Sequence, residues 1–405
     1  MTLAGTGSGR IDRRFTPPRI AALVPSSGGI SGPARQLTAL ARALQDAGIE
    51  CLVVVFHRPN GPPSALAGFL REAGVRHCLV HDRGPLDLRM AMQVGRVLRG
   101  WQPSLVQTHG YKATAVAYLL RRLRYPWPWI GFFHGVTTAN LKARCYHWVD
   151  RRLLGRADRV VVMSLAEASA FRHCGNRVHT IYNAALAPPP PGSPSEDDRR
   201  TGGRRLRRPI VGVVGRLSPE KGVDLFLDAC ARLARGGLPF SVLVAGDGTE
   251  RARLEDRCRR LGLEPRIRFL GQVDHVDTVY RQLDLLVLPS RSEGLPNTLL
   301  EALRRDLPVV ATAVGAVPEI VGASPAAHLV QPGSAPALAD AMARALAQGD
   351  SPEAAAARQD VVSRLSLERR VEAHLDVYRD LLEEWRGRGI PTSGVTTACA
   401  GLPAR

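Results

Sequence analysis

The stretch LDLLVLPSRSEGLPNTLLEAL, Leu283–Leu303, changes its period midway. It begins as a continuous apolar run that stops at Pro289–Ser290, and it ends as NTLLEAL, with apolar residues at helical spacing. A continuous apolar run reads as a strand buried on both faces, and the order strand, loop, helix predicts one unit of a parallel α/β sheet. Arg291–Leu295 then fall in the loop at the strand's carboxyl end, and Pro296 suits the first turn of the helix. Two carboxylates, Glu293 on the loop and Glu301 on the second helical turn, flank backbone amides that the helix dipole makes attractive to an anion. Carboxylates in such a place accept hydrogen bonds from hydroxyls, as on a sugar or ribose. Taken alone, they fit a capping carboxylate and a solvated helix charge better than a binding pair.

The same alternation runs outward in both directions. Upstream lie RIAALVPS (19–26), ECLVVVFH (50–57), RHCLVH (76–81), SLVQTHG (104–110), WIGFFHG (129–135), RVVVMS (159–164) and VHTIYNA (178–184), nearly all separated by helical segments. The pattern stops at ALAPPPPGSPSEDDRRTGGRRLRRP (185–209), whose Pro run, Gly, Ser and charge clusters read as a linker. It resumes with PIVGVVG (209–215), FSVLVAG (240–246), RIRFLG (266–271), LPVVATAV (307–314) and AHLVQPG (327–333). These runs predict two doubly wound, Rossmann-like α/β domains, 19–184 and 209–364, joined by a linker at 185–208. A long helix over 365–386 follows, and tails at 1–18 and 387–405 lack periodicity and read as disordered. Ligands of such sheets bind beyond the carboxyl ends of the strands, so a cleft between the domains is the expected site.

Composition narrows the function. Lys and Arg number 55 against 37 Asp and Glu, a net charge of +18, and all but Lys112, Lys142 and Lys221 of the basic residues are Arg. Such charge suits phosphate-bearing substrates or an anionic membrane surface, and arginine-rich coding accounts for part of it as well. No zinc-finger spacing, RNP-type aromatic signature or long basic helix is present, so nucleic acid is not an expected partner. The seven cysteines are scattered singly without a CxxC, which fits a reduced, cytoplasmic setting. The start lacks an apolar leader core, and no run of 18 apolar residues occurs. Peripheral attachment stays open: the cluster RYPWPWIGFF (124–133), with nearby arginines, suits an anionic leaflet or a loop that covers the core.

A second motif gives the first its meaning. GVVGRLSPEKGVDLFLDA (212–229) leaves a strand through Gly215, passes Arg216 and Lys221, and enters a helix. Both cations fall where a diphosphate would sit beyond the sheet edge, Arg as a planar fork and Lys as a compact charge. LVAGDGTERARLE (243–255) repeats the strand–turn–helix form.

In this order, GRLSPEKG, AGDG with Glu250, LPSRSEGLPNTLLEA and ATAVGAVPEIV resemble glycosyltransferase family 4, and PSSGGISG resembles that family's glycine-rich loop. The likeness covers residues 19 to about 385. It implies the GT-B fold, two Rossmann-like domains facing across a cleft, with retention of anomeric configuration. It also implies roles. Arg216 and Lys221 neutralise the donor diphosphate, Glu301 binds the ribose hydroxyls, and Glu293 faces the donor sugar and the charge developing at its anomeric carbon. The Gly294, Leu295, Pro296 and Asn297 segment offers its amides to sugar or phosphate oxygens, and Gly28 and Gly29 bring further amides to the diphosphate. His134 matches the family histidine near acceptor and donor sugar, with His109, Tyr111 and Lys112 as weaker acceptor-side candidates. In this scheme cations replace a divalent metal, so no metal or other cofactor is expected beyond the nucleotide-sugar co-substrate. One departure is YNAALA (182–187), where the family has Pro-Asn-Gly-Val.

The expected function is therefore a retaining hexosyltransferase-type enzyme. It moves sugar from a UDP- or GDP-sugar to a glycan or lipid-linked glycan in bacterial cell-surface polysaccharide or lipopolysaccharide assembly. It would work in the cytoplasm, with peripheral contact at the inner membrane face as an open partner. The alternatives are a GT-B sugar-nucleotide epimerase, which needs no acceptor, and a non-catalytic nucleotide-sugar-binding module.

Overall fold

Apolar runs that end at Gly, Pro or Ser become strands wherever a helix returns the chain to the same sheet edge. A computed structural model describes residues 18–26, 29–59, 61–84, 87–123, 125, 127–135, 141–187, 208–273 and 275–388. Gly28, most of the expected linker and nearly all of both expected tails lie outside them. Among the described residues the first sheet holds β1 Arg19–Pro25, β2 Glu50–His57, β3 His77–His81, β4 Leu105–His109, β5 Trp129–Phe133, β6 Arg159–Val162 and β7 Val178–Thr180. Its order is β3-β2-β1-β4-β5-β6-β7. The second sheet holds β8 Ile210–Val214, β9 Ser241–Ala245, β10 Ile267–Gly271, β11 Leu285–Leu288, β12 Val309–Thr312 and β13 His328–Val330, in the order β10-β9-β8-β11-β12-β13. Pairing is parallel, for example Val211 with Val242 and Val287 with Val310.

Both orders reverse direction beside their first strand, at β1/β4 and at β8/β11. Such a reversal leaves a crevice at the carboxyl ends of the two strands, because the helices that follow them lie on opposite faces of the sheet.

By contacts the chain forms two compact units. One comprises Met1–Phe132, Arg156–Arg159 and Val371–Arg405, and the other comprises Phe133–Gly155 and Val160–Arg370. In the first, the terminal helix Leu367–Gly387 is tied in by its residues from Val371 onward. Gln107 donates to the Tyr378 hydroxyl, His374 stacks on Phe132 at 5.7 Å, and Arg159 pairs with Glu384 at 2.7 Å. Arg121 forks Asp158 with two bonds of 2.8 Å and lies over the Trp385 ring. Trp129 of the aromatic cluster is buried and donates to Thr108 at 2.9 Å, so this tryptophan belongs to the core. In the second unit, Val211, Val213, Val242, Val244, Leu285 and Val287 bury one layer against Phe226, Leu227 and Met342. Each such aliphatic side chain stabilises the fold by about 1.5–3 kcal/mol.

Candidate functional site

The β8/β11 crevice collects the charged residues. Arg216 follows β8, and a 3-10 turn, Pro219–Lys221, brings the lysine back over the sheet edge. This return requires glycine next: Gly222 has φ +63°, and a Cβ there would stand 2.1 Å from the Pro289 carbonyl oxygen. The close approach sets Lys221 against the loop after β11. Its Nζ donates to Glu293 Oε1 at 2.7 Å and to Oε2 at 2.9 Å, while Ser290 Oγ donates to Oε1 at 2.6 Å. The Glu293 side chain is only 10% exposed, so this partnering offsets a substantial desolvation cost. Arg216 is exposed and has no ion pair among the described residues. One cation is thus committed to the carboxylate and the other is free for an anion.

The loop is braced from behind. Thr312 Oγ1 donates to the Ser290 carbonyl at 2.6 Å, and Ala316 N donates to the Gly294 carbonyl at 2.8 Å. Gly315, at φ +56°, lets its turn come within 2.3 Å of the Glu293 carbonyl oxygen, measured from where a Cβ would be. The helix Asn297–Arg304 begins one residue later than expected, with Pro296 at its N-cap in extended conformation (φ −70°, ψ 117°). Proline has no N–H to satisfy, so the cap costs no donor, and the first-turn amides after it are without a side-chain cap bond. Asn183, in the variant YNAALA segment, is buried and donates to Asn297 Oδ1 at 3.3 Å. Glu301 lies on the second turn and accepts a 2.7 Å bond from the Tyr280 hydroxyl.

His134 follows β5 and is half-buried. Burial, and then the charge of Arg370, push its pKa down to about 4, so the ring is neutral at physiological pH. Beside it stands a residue that sequence reasoning missed, Glu167. Its Oε2 accepts from Met163 N at 2.9 Å, while its buried Oε1 has no hydrogen-bond partner. A Cβ on Gly294 would stand 2.8 Å from that oxygen, and one on Gly135 3.1 Å. Burial, reinforced by the Glu319 carboxylate, raises the Glu167 pKa to about 7. Glu319 itself accepts from Leu165 N, Ala166 N and the Tyr182 hydroxyl at 2.9, 3.2 and 2.9 Å. The signal for Glu167 was the capping pattern Ser164-x-x-Glu167, in which Ser164 Oγ accepts from Glu167 N at 3.0 Å.

Arg216, Lys221, Glu293, Gly294, Leu295, Pro296, Asn297, Glu301 and His134 all fall in the second compact unit. Gly29, His109, Tyr111 and Lys112 belong to the first, around the β1/β4 reversal. There His109 is buried and stacks on Phe132 at 4.4 Å, Tyr111 is exposed, and Lys112 pairs with Asp82 and the Gly84 carbonyl. Among the described residues no group of three His, Cys, Asp or Glu could hold a metal ion.

Two Rossmann-like parallel sheets, the second carrying cations and carboxylates at its reversal, define the GT-B class. The model for glycosyl transferases group 1 matches residues 194–360, that for Glycosyltransferase Family 4 matches 30–185, and the chain belongs to this family. It is similar to the lipopolysaccharide core biosynthesis mannosyltransferase LpsB of Rhizobium meliloti, 34% identical over 186 residues, 43% of this chain and 52% of that protein. The chain thus matches about half the length of that relative. Among solved structures it resembles sucrose-phosphate synthase from Thermosynechococcus elongatus (TM-score 0.74, 23% identity, 91% of this chain and 100% of that one). It also resembles Anabaena Alr3699/HepE in complex with UDP-glucose (TM-score 0.73, 22% identity, 91% and 99%).

Proposed function

We propose that this chain is a retaining, metal-independent hexosyltransferase that moves a sugar from a UDP- or GDP-sugar to a glycan or lipid-linked glycan of a bacterial cell-surface polysaccharide. The observation that carries the reading is the Lys221–Glu293 pair at the β8/β11 reversal, with exposed Arg216 beside it. Arg216 forks the donor diphosphate, and Lys221, with one N–H direction beyond the two given to Glu293, adds a point charge to it. Amides of Gly294, Leu295 and Asn297 and the helix dipole behind them meet sugar or phosphate oxygens. Glu301 accepts from the ribose hydroxyls.

As the bond from the anomeric carbon to the phosphate oxygen breaks, the nucleoside diphosphate leaves with the electron pair, and its new charge meets Arg216 and Lys221. Positive charge develops at the anomeric carbon, facing Glu293. The acceptor hydroxyl oxygen then forms the new bond on the same face and passes its proton to the departing diphosphate oxygen. Preorganised cations in this role do the work a divalent ion does elsewhere. His134, neutral across physiological pH, orients a hydroxyl rather than carrying charge. Gly28 and Gly29 add amides to the diphosphate, and His109, Tyr111 and Lys112 are the acceptor-side candidates. Among the described residues no helix is long and apolar enough to cross a membrane, and peripheral binding to an anionic leaflet belongs to the same proposal.

A thermal-shift screen of UDP-, GDP- and ADP-sugars tests donor binding, because a ligand of the native state raises its melting temperature. A UDP- or GDP-sugar is expected to stabilise the protein, and a flat response to every donor overturns the reading. With the best donor, turnover is expected only with a glycan acceptor, with retained configuration by NMR and unchanged rate in EDTA. Conversion of the donor alone would instead mark an epimerase.

A further inference from the structure

Glu301 is held differently from a solvated helix charge. The Tyr280 hydroxyl donates to its Oε2 at 2.7 Å, and Tyr280, at the end of the short helix Val276–Tyr280, is only 2% exposed. The ring lies beneath the Arg305 guanidinium, 4.8 Å from its centroid. Arg305 is fixed in turn: Nε and Nη2 reach Asp277 Oδ1 at 2.7 and 2.6 Å, and Nη1 donates to the Glu301 carbonyl at 2.7 Å. Asp277 is buried and takes a second arginine, Arg281, at 2.8 Å. Side chain and main chain of Glu301 are therefore both tied to one buried cluster. A carboxylate accepts at two oxygens, and a phenol fixed on one of them sets the direction of the other.

We infer that Tyr280 is the positioning residue for nucleoside recognition: its hydroxyl holds Glu301 in the orientation that accepts from the ribose hydroxyls, so preference for ribonucleotides runs through a residue that touches no ligand. The inference rests on the proposed role of Glu301. Its chemistry is specific, since Tyr280→Phe removes one donor and leaves the ring and its arginine cover in place.

The test is calorimetric binding of UDP against 2′,3′-dideoxy-UDP, and of GDP against 2′,3′-dideoxy-GDP, to the full chain. The wild type is expected to favour the ribonucleotide by about 10- to 100-fold, the size of hydrogen bonds to a charged group. Glu301→Ala erases that preference. Tyr280→Phe shrinks it by about 3- to 10-fold, leaves the dideoxynucleotide unchanged, and adds nothing further in the Glu301→Ala background. If Glu301→Ala erases the preference while Tyr280→Phe keeps it whole, or weakens both nucleotides equally, the inference falls and the proposed function stands. If Glu301→Ala leaves the preference intact, or the wild type binds none of the nucleotides, the reading of Glu301 falls and takes the inference with it. Should Tyr280→Phe fail to fold, Arg305→Lys, which loosens the ring's cover and spares the hydroxyl, is expected to shrink the preference, and an unchanged preference there overturns the inference.

Discussion

The two sheets reverse direction at the same point in their strand order, β1/β4 in one and β8/β11 in the other, and the two reversals carry different chemistry. Each has a lysine paired with a shielded carboxylate: Lys112 with Asp82, their side chains 11% and 14% exposed, and Lys221 with Glu293, 25% and 10% exposed. At β1/β4 His109 is buried against Phe132, and exposed Tyr111 stands next to Lys112 in sequence. At β8/β11 an exposed arginine follows β8 beside the pair, and the helix after the loop starts without a side-chain N-cap bond. The same topology thus sets a lysine–carboxylate pair near a buried ring in one case and near an exposed arginine in the other. A fold supplies a crevice, and the residues lining it decide whether it does chemistry.

The contrast can be broken most sharply at Glu293. Glu293→Gln is expected to lower kcat by about 100- to 1,000-fold, the usual loss when one preorganised electrostatic group is removed. Unchanged turnover in a single-turnover assay would reduce the β8/β11 pair to a structural one. The counterpart is Lys112→Met, which strands Asp82 and is expected to cost about 3 kcal/mol in urea unfolding; a loss below about 1 kcal/mol would make that pair a surface one.

Glu167 sharpens the comparison through pH. Its folded pKa, about 7, lies above its ordinary 4.5, so the folded chain binds the proton more tightly than the unfolded one. Its contribution is full below 4.5 and is lost as pH rises to about 7. Glu167→Gln cannot ionise and is expected to lack that decline, gaining roughly 3 kcal/mol on the wild type by pH 8. Parallel stability–pH curves for the two proteins would refute it. Arg216→Ala has the smallest expected effect, about tenfold weaker nucleotide-sugar binding. That loss should fade at high salt because the arginine is exposed.

Much of this was legible in the residues. All thirteen apolar runs became parallel strands, each run overreaching its strand by a few residues at most. The overreach has a physical cause, visible at 283–290: Leu283 packs where a Gly212 Cβ would be, and Pro289 has no N–H for the ladder, so β11 is Leu285–Leu288. The positions of Arg216, Lys221 and Glu293 were legible too, because they fall in the segments that follow β8 and β11. Their partners were not. Lys221 and Glu293 are 72 residues apart, and the Tyr280–Glu301 and Glu167–Gly294 contacts depend on how separate loops fold back. Spacing along the chain carries no information about which of these segments meet.

The scarcity of lysine has a practical side. With three amines among 55 basic side chains, one of them held by Glu293, amine-selective reagents have few places to react. Acylation of Lys221, followed by peptide mass and quenched as a donor enters, would report occupancy of the crevice in the unmodified protein. No engineered label is needed, because the arginine-rich composition has already cleared the background.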